Sequence, residues 1–340
     1  MSRVLMGSLL ITLLFFGCKS SGDQKKANVP YDSIRTAIKA LDLEIGEGSS
    51  DPNLHFRRSQ LFYSDRQLDQ ALHDINKAIA LDKTSSEFYI LLSDIYLLMG
   101  QPQNCGEALD QALSIEPQNK AALLKKAKLN LIAQDYRKTF ESIKKLLAID
   151  KINPDAYYTR GIAFLEYGDT AAAVNDLLKA VEQNQQYYEA YVQLGELYAL
   201  RKDPMAEMYF RNALNIRPKS KEALYMLGMY YQETEKFDKA IAVYQNFAQA
   251  DTTVRNAPFN IGYIYLVYLK DFKKAASFFT LAIERDSTYF EAWYNRGLAY
   301  ELMGDFDKAY KDYQVTLKIE TNYPKAIEGL NRLDRIRLNR

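Results

Sequence analysis

Residues able to carry catalysis are few in this 340-residue chain, and they are poorly placed for it. Its two histidines, His55 and His73, could serve acid–base chemistry or metal ligation, but neither lies beside a cysteine or in a paired-His metal spacing. Its two cysteines, Cys18 and Cys105, are too few for a disulfide framework or a Cys-rich zinc site. No nucleophile elbow or phosphate loop occurs, and the many carboxylate pairs are those of any charged helical surface. The expectation is a non-enzymatic protein with no cofactor, no metal and no evident small-molecule substrate.

Charge narrows the choice further. With 44 Lys and Arg against 43 Asp and Glu the net charge is +1, which argues against nucleic acid as a partner. A chain that is 48% hydrophobic and 26% charged has ample material for a core and too little charge bias for wholesale disorder.

The amino terminus reads as a targeting segment. Arg3 precedes an apolar run from Val4 to Gly17, and the chain turns polar from Lys19 onward. The run is too short to span a bilayer as a helix and has the length of a signal-peptide core. The segment from Leu14 to Cys18 resembles the lipobox of bacterial lipoproteins, in which cleavage after a small residue leaves a Cys that carries lipid. That resemblance implies a signal peptide over 1–17, a lipidated Cys18 and a flexible tether over 18–30. With Lys19 rather than Asp after the Cys, it also implies the outer rather than the inner membrane of a bacterial envelope. The alternative is an ordinary secretory signal, or an accidental apolar stretch, leaving a soluble exported or cytosolic module in which Cys18 is incidental.

Self-similarity organises everything that follows. Small residues recur at Ser59, Ser93, Ala127, Gly161, Gly195, Gly228, Gly262 and Gly297, a period of about 34 residues. A second small series runs through Ala37, Ala71, Cys105, Thr139, Ala173, Ala206, Ala240, Ala275 and Ala309. An aromatic stands three residues after each member of the first series, except at Asn130, and a large apolar residue stands four after each member of the second from Ala71 onward. Small residues let two helices approach closely, and the residue three positions on shares their face and fills the space beside the contact. Cys105 falls in a small-residue column, so it reads as a buried structural thiol.

These columns resemble the tetratricopeptide repeat (TPR). The last unit carries the family's signature at Trp293, Gly297, Tyr300, Gly304, Phe306, Ala309 and Tyr313, while Arg296, Thr316 and Thr321 depart from it. The resemblance implies an all-α fold, an α-solenoid right-handed superhelix of about eight helix-turn-helix units over 52–323. Residues 31–45 and 324–340 keep the phase and read as capping helices, so the solenoid as a whole covers 31–340. The second cap has a basic side at Arg332, Arg335, Arg337 and Arg340, read as a solvated surface, with an anionic contact as the alternative.

By the same resemblance the fifth, ninth and twelfth residues of each unit line a concave groove that binds protein or peptide segments. In this chain they include Phe56, Tyr63, Tyr158, Tyr225, Met229, Phe259, Tyr263 and Tyr294, an apolar and aromatic lining. About half of such residues are expected to pack on the next repeat instead. An Asn ladder for peptide backbones would use the sixth position, where only Asn260 and Asn295 fit, with Gln193 a weak third. No three consecutive units supply the Lys, Asn and Arg of the family's carboxylate clamp, so capture of chaperone tails is not expected. The third unit, 120–151, has a local charge of +6 and includes Lys125, Lys126 and Lys128. It is either a solvated face or a docking patch for an acidic partner or an anionic envelope polymer. The expected protein is a lipid-anchored, protein-binding scaffold that meets the membrane only through its N-terminal lipid. Self-association into a homo-oligomer through Tyr-rich edges is a further possibility.

Overall fold

A computed structural model of the chain describes residues 31–46 and 49–338, so the lipobox, Cys18 and the tether lie outside the described residues. The chain divides into two compact units, Met1–Ala190 and Tyr191–Arg340. The first holds α1 (Tyr31–Gly46), α2 (Pro52–Ser64), α3 (Leu68–Leu81), α4 (Ser86–Leu98), α5 (Pro102–Ile115), α6 (Lys120–Ile132), α7 (Tyr136–Ile149), α8 (Pro154–Tyr167), α9 (Thr170–Gln183) and the first residues of α10 (Tyr188–Ala199). The second continues with α11 (Met205–Ile216), α12 (Lys221–Glu233), α13 (Phe237–Ala250), α14 (Asn256–Tyr263), α15 (Phe272–Arg285), α16 (Phe290–Leu302), α17 (Phe306–Ile319) and α18 (Pro324–Leu338). Within each unit the fold is an all-α repeat of the solenoid class, made of helical hairpins stacked in chain order. Among the described residues there is no strand, and no helix is long and apolar enough to cross a membrane.

Local chemistry sets the hairpin ends. Several second helices start at an Asp whose carboxylate accepts a backbone N–H from the first turn, as Asp135 does from Lys138, Asp169 from Ala172 and Asp271 from Lys274, whereas α3, α5 and α13 start at Gln67, Gln101 and Lys236 without a side-chain cap. The preceding turn always contains one left-handed residue. It is glycine at Gly100, Gly168 and Gly304, but Arg66, Gln134, Lys202, Glu235 and Lys270 adopt the same conformation with side chains attached.

The two small series and the large apolar series meet inside each hairpin. A Cβ placed on Gly228 would stand 2.5 Å from the Tyr244 ring, and one on Gly195 2.6 Å from Phe210. Where the column holds Ser59, Ser93 or Ala127 instead, the facing residue is the smaller Ile75, Leu109 or Ile143, all buried. At Gly195, Gly228, Gly262 and Gly297 glycine makes room for an aromatic ring against the backbone, while Gly161 faces Leu177.

One hairpin is irregular. Between the small residue and the left-handed turn residue the chain counts seven positions in the other pairs and eight from Gly262 to Lys270. The extra residue is taken up as a π-helical turn, Ile264–Tyr268, that continues α14. It ends in three consecutive exposed apolar residues, Val267, Tyr268 and Leu269.

Candidate functional site

The predicted groove residues lie on the first helices of the hairpins, and most have a second engagement. In the first unit, Phe56 of α2 contacts Phe88 with ring centroids 4.9 Å apart, and Tyr158 of α8 contacts Tyr187 at 5.0 Å. Tyr63 is half-buried against the core around Ile75 and Phe88.

In the second unit, Tyr225 lies 6.0 Å from Phe247 and 6.5 Å from Tyr244, and Phe259 lies 4.9 Å from Tyr289. Tyr294 meets Tyr313 at 5.7 Å and Tyr323 at 5.2 Å. Met229 packs on the core around Tyr231 and Tyr244. Tyr263 is only edge-on to Tyr268, at 6.2 Å. All of these aromatics are half-buried; Phe56, Tyr158, Phe259 and Tyr294 join one repeat to the next, whereas Tyr225 and Tyr263 meet rings of their own hairpin. The expected ladder amides are engaged too. Asn295 Nδ2 donates to the Glu291 carbonyl of its own helix at 2.7 Å, and Asn260 neighbours the Tyr244 hydroxyl, which itself donates to Gln232 Oε1 at 3.2 Å.

The basic third repeat is less available than its charge suggests. Lys125 Nζ lies 2.5 Å from Asp94, Lys126 lies 2.8 Å from Asp110 and also donates to the Gly106 carbonyl, and Lys128 stands 4.0 Å from Asp155. All three meet carboxylates of neighbouring repeats, so their role in packing is plain. The exposed lysines of this repeat with no ion pair among the described residues are Lys144 and Lys145 on α7 and Lys151 just beyond it. The C-terminal cap is similarly tied down: Arg332 holds Glu301 through two bonds of 2.8 and 2.9 Å, and Arg337 reaches Asp307 at 2.9 Å and covers the Tyr310 ring.

Catalytic candidates are dispersed. His55 is buried on α2 and His73 exposed on α3. Burial pushes the Cys105 thiol up to about 11, the opposite of an activated nucleophile. Among the described residues no three His, Cys, Asp or Glu are arranged to hold a metal ion.

Two features escaped the sequence reading. Arg58 Nε and Nη2 bind both oxygens of Asp74 at 2.5 and 2.7 Å, and Arg160 binds Asp176 in the same way at 2.6 and 2.8 Å. The signal was present as an Arg followed sixteen residues later by an Asp. The other feature is Glu196, at a ninth position and half-buried. Burial and the neighbouring Glu222 raise its carboxyl to about 7.

The stacked pairs, their small-residue contacts and the capped turns define a helical repeat protein. Tetratricopeptide repeat models match residues 86–119, 158–221, 221–252, 259–289 and 290–320, more than half of the chain, and the chain belongs to the tetratricopeptide repeat family. It is similar to a DnaJ homolog subfamily C member 7 homolog of Dictyostelium discoideum, 21% identical over 87% of this chain and 60% of that protein. It is also similar to the Hsp70-Hsp90 organizing protein of Triticum aestivum, 23% identical over 79% of this chain and 41% of that protein. The chain thus spans less than two thirds of the length of each of these relatives. Among solved structures, the C-terminal part of a TPR repeat-containing protein from Cytophaga hutchinsonii shares the fold, with a TM-score of 0.52 and 17% identity over 81% of this chain and 99% of that one.

Proposed function

We propose that this chain is a non-enzymatic scaffold for protein–protein interaction that holds segments of partner proteins against the first helices of its hairpins. The observation that carries this reading is the outward surface kept by Tyr225 and Tyr263, half-buried on consecutive first helices of the second unit. Two rigid aromatics already held by their neighbours lose little entropy on binding and offer large apolar area. The name of the wheat relative, an organizing protein, is consistent with such a role.

The same proposal places the protein at a bacterial envelope, anchored through lipid on Cys18, with the outer membrane as its site. Its support is the apolar run ending at a cysteine where the sequence turns polar.

Both parts are tested on the native chain. Replacing Tyr225 and Tyr263 by Ala should reduce capture of partners from solubilised membranes and leave helix content nearly unchanged; undiminished capture would remove the groove from the account. Metabolic labelling with an alkyne fatty acid should tag the wild type and not Cys18→Ser.

A further inference from the structure

The groove reading can be deepened by one step, which rests on that reading and concerns the chemistry of the segment held. Groove carboxylates elsewhere in the chain receive cations from the chain itself: Asp94 takes Lys125 in the first unit, and Glu301 takes Arg332 in the second. Glu196 departs from this pattern. Its carboxylate accepts a hydrogen bond from Gln193 Nε2 at 3.2 Å and has no ion pair among the described residues. Burial raises its proton affinity, and the negative charge of Glu222 of α12 adds to that. One turn beyond Glu222 on the same helix stands Tyr225, followed by Met229, both half-buried.

We propose that the groove of the second unit takes a peptide segment bearing a lysine or arginine, whose cation seats on Glu196 beside Glu222 while apolar neighbours lie on Tyr225 and Met229. A half-buried carboxylate without a counter-ion is partly stripped of water at a cost in free energy, and an incoming cation offsets that cost where a neutral or acidic side chain does not. A lysine or arginine also suits the mixed wall, since its aliphatic stem can cover an aromatic ring while its charged end reaches the carboxylate.

The experiment is fluorescence anisotropy of the full chain with three short labelled peptides of Leu, Tyr and Ala that differ at one central residue: lysine, norleucine or glutamate. At pH 8 the lysine peptide should bind about tenfold more tightly than the norleucine peptide and more tightly still than the glutamate peptide. Glu196→Gln, nearly isosteric, should bring the lysine and norleucine peptides to within about twofold of each other, with an unchanged circular dichroism spectrum. Equal binding of the lysine and norleucine peptides by the wild type, or a lysine preference that survives in Glu196→Gln, would overturn the inference and leave the groove reading standing. Failure of all three peptides to bind would overturn both.

Discussion

Arg296 and Asp312 are joined by two parallel hydrogen bonds, Nε to Oδ2 at 2.7 Å and Nη2 to Oδ1 at 2.8 Å, across the last hairpin. The Asp312 side chain is 6% exposed and Arg296 also donates to Thr280, so the fork is a largely dehydrated ion pair. Where the Arg position holds an apolar residue, its partner position does too, as with Leu92 and Ala108. Removing one member of a buried pair strands the other, whereas replacing both by a packed apolar pair can be nearly neutral. Asp312→Ala should therefore lower stability by about 3 kcal/mol, and Arg296→Leu combined with Asp312→Ala by less than about half of that. Urea unfolding of the wild type, both single variants and the double variant reads this directly; additive losses would contradict it.

The left-handed turn residues give a prediction of opposite sign. Gln134 and Lys270 hold φ of 57° and 54° with a Cβ in place, and both are exposed. Gln134→Gly or Lys270→Gly should stabilise by about 0.5–1 kcal/mol, the relief of left-handed strain less the extra entropy of glycine in the unfolded chain. Gly304→Ala should lose about 1 kcal/mol. Thermal melts of the three variants would test the ordering.

Close packing of helix backbones on aromatic rings predicts low tolerance in the glycine column. In Gly228→Ala the new methyl would press on Tyr244, a fully buried ring that cannot withdraw, and a cost of about 1–3 kcal/mol is expected. The double change Gly228→Ala with Tyr244→Ile reproduces the combination found at Ala127 and Ile143 and should recover part of the loss. Chemical denaturation would show whether it does.

Glu196 links stability to pH. Its carboxyl titrates at about 7 in the folded chain against an ordinary value of 4.5, so between these values the folded state keeps a proton that the unfolded state releases. Its contribution is therefore not unfavourable below pH 4.5 and becomes a growing cost as pH rises through 7. Glu196→Gln should leave the urea midpoint unchanged near pH 4.5 and raise stability by about 1–3 kcal/mol at pH 8. An equal shift at both pH values would mean that the effect is steric.

Much of this architecture was legible because eight near-copies average out the noise of any one helix. The columns through Gly297 and Ala309 mark where backbones touch, and the period locates every turn. What the columns could not reveal depends on where neighbouring repeats place their side chains. Lys125 and Asp94 are 31 residues apart, so a local charge sum reads the lysine as free when the fold pairs it. Phe56 and Phe88 likewise sit on separate first helices, and only the crossing of those helices turns a groove aromatic into an inter-repeat contact. The fork partners were visible as letters, but an Arg in place of the family's Leu at Arg296 reads as a lapse until Asp312 is seen beneath it.

The π-helical turn Ile264–Tyr268 has a consequence for how such a chain can lengthen. An added residue usually rotates everything beyond it by about 100° around the helix axis and would swing the apolar face of the following turn out of the core. Here the widened turn absorbs that rotation on the spot, so Lys270 and Asp271 resume the ordinary turn and cap and α15 enters in phase. A single insertion is thereby converted from a frameshift of packing into a local swelling, and its apolar surplus is displaced to the surface at Val267, Tyr268 and Leu269.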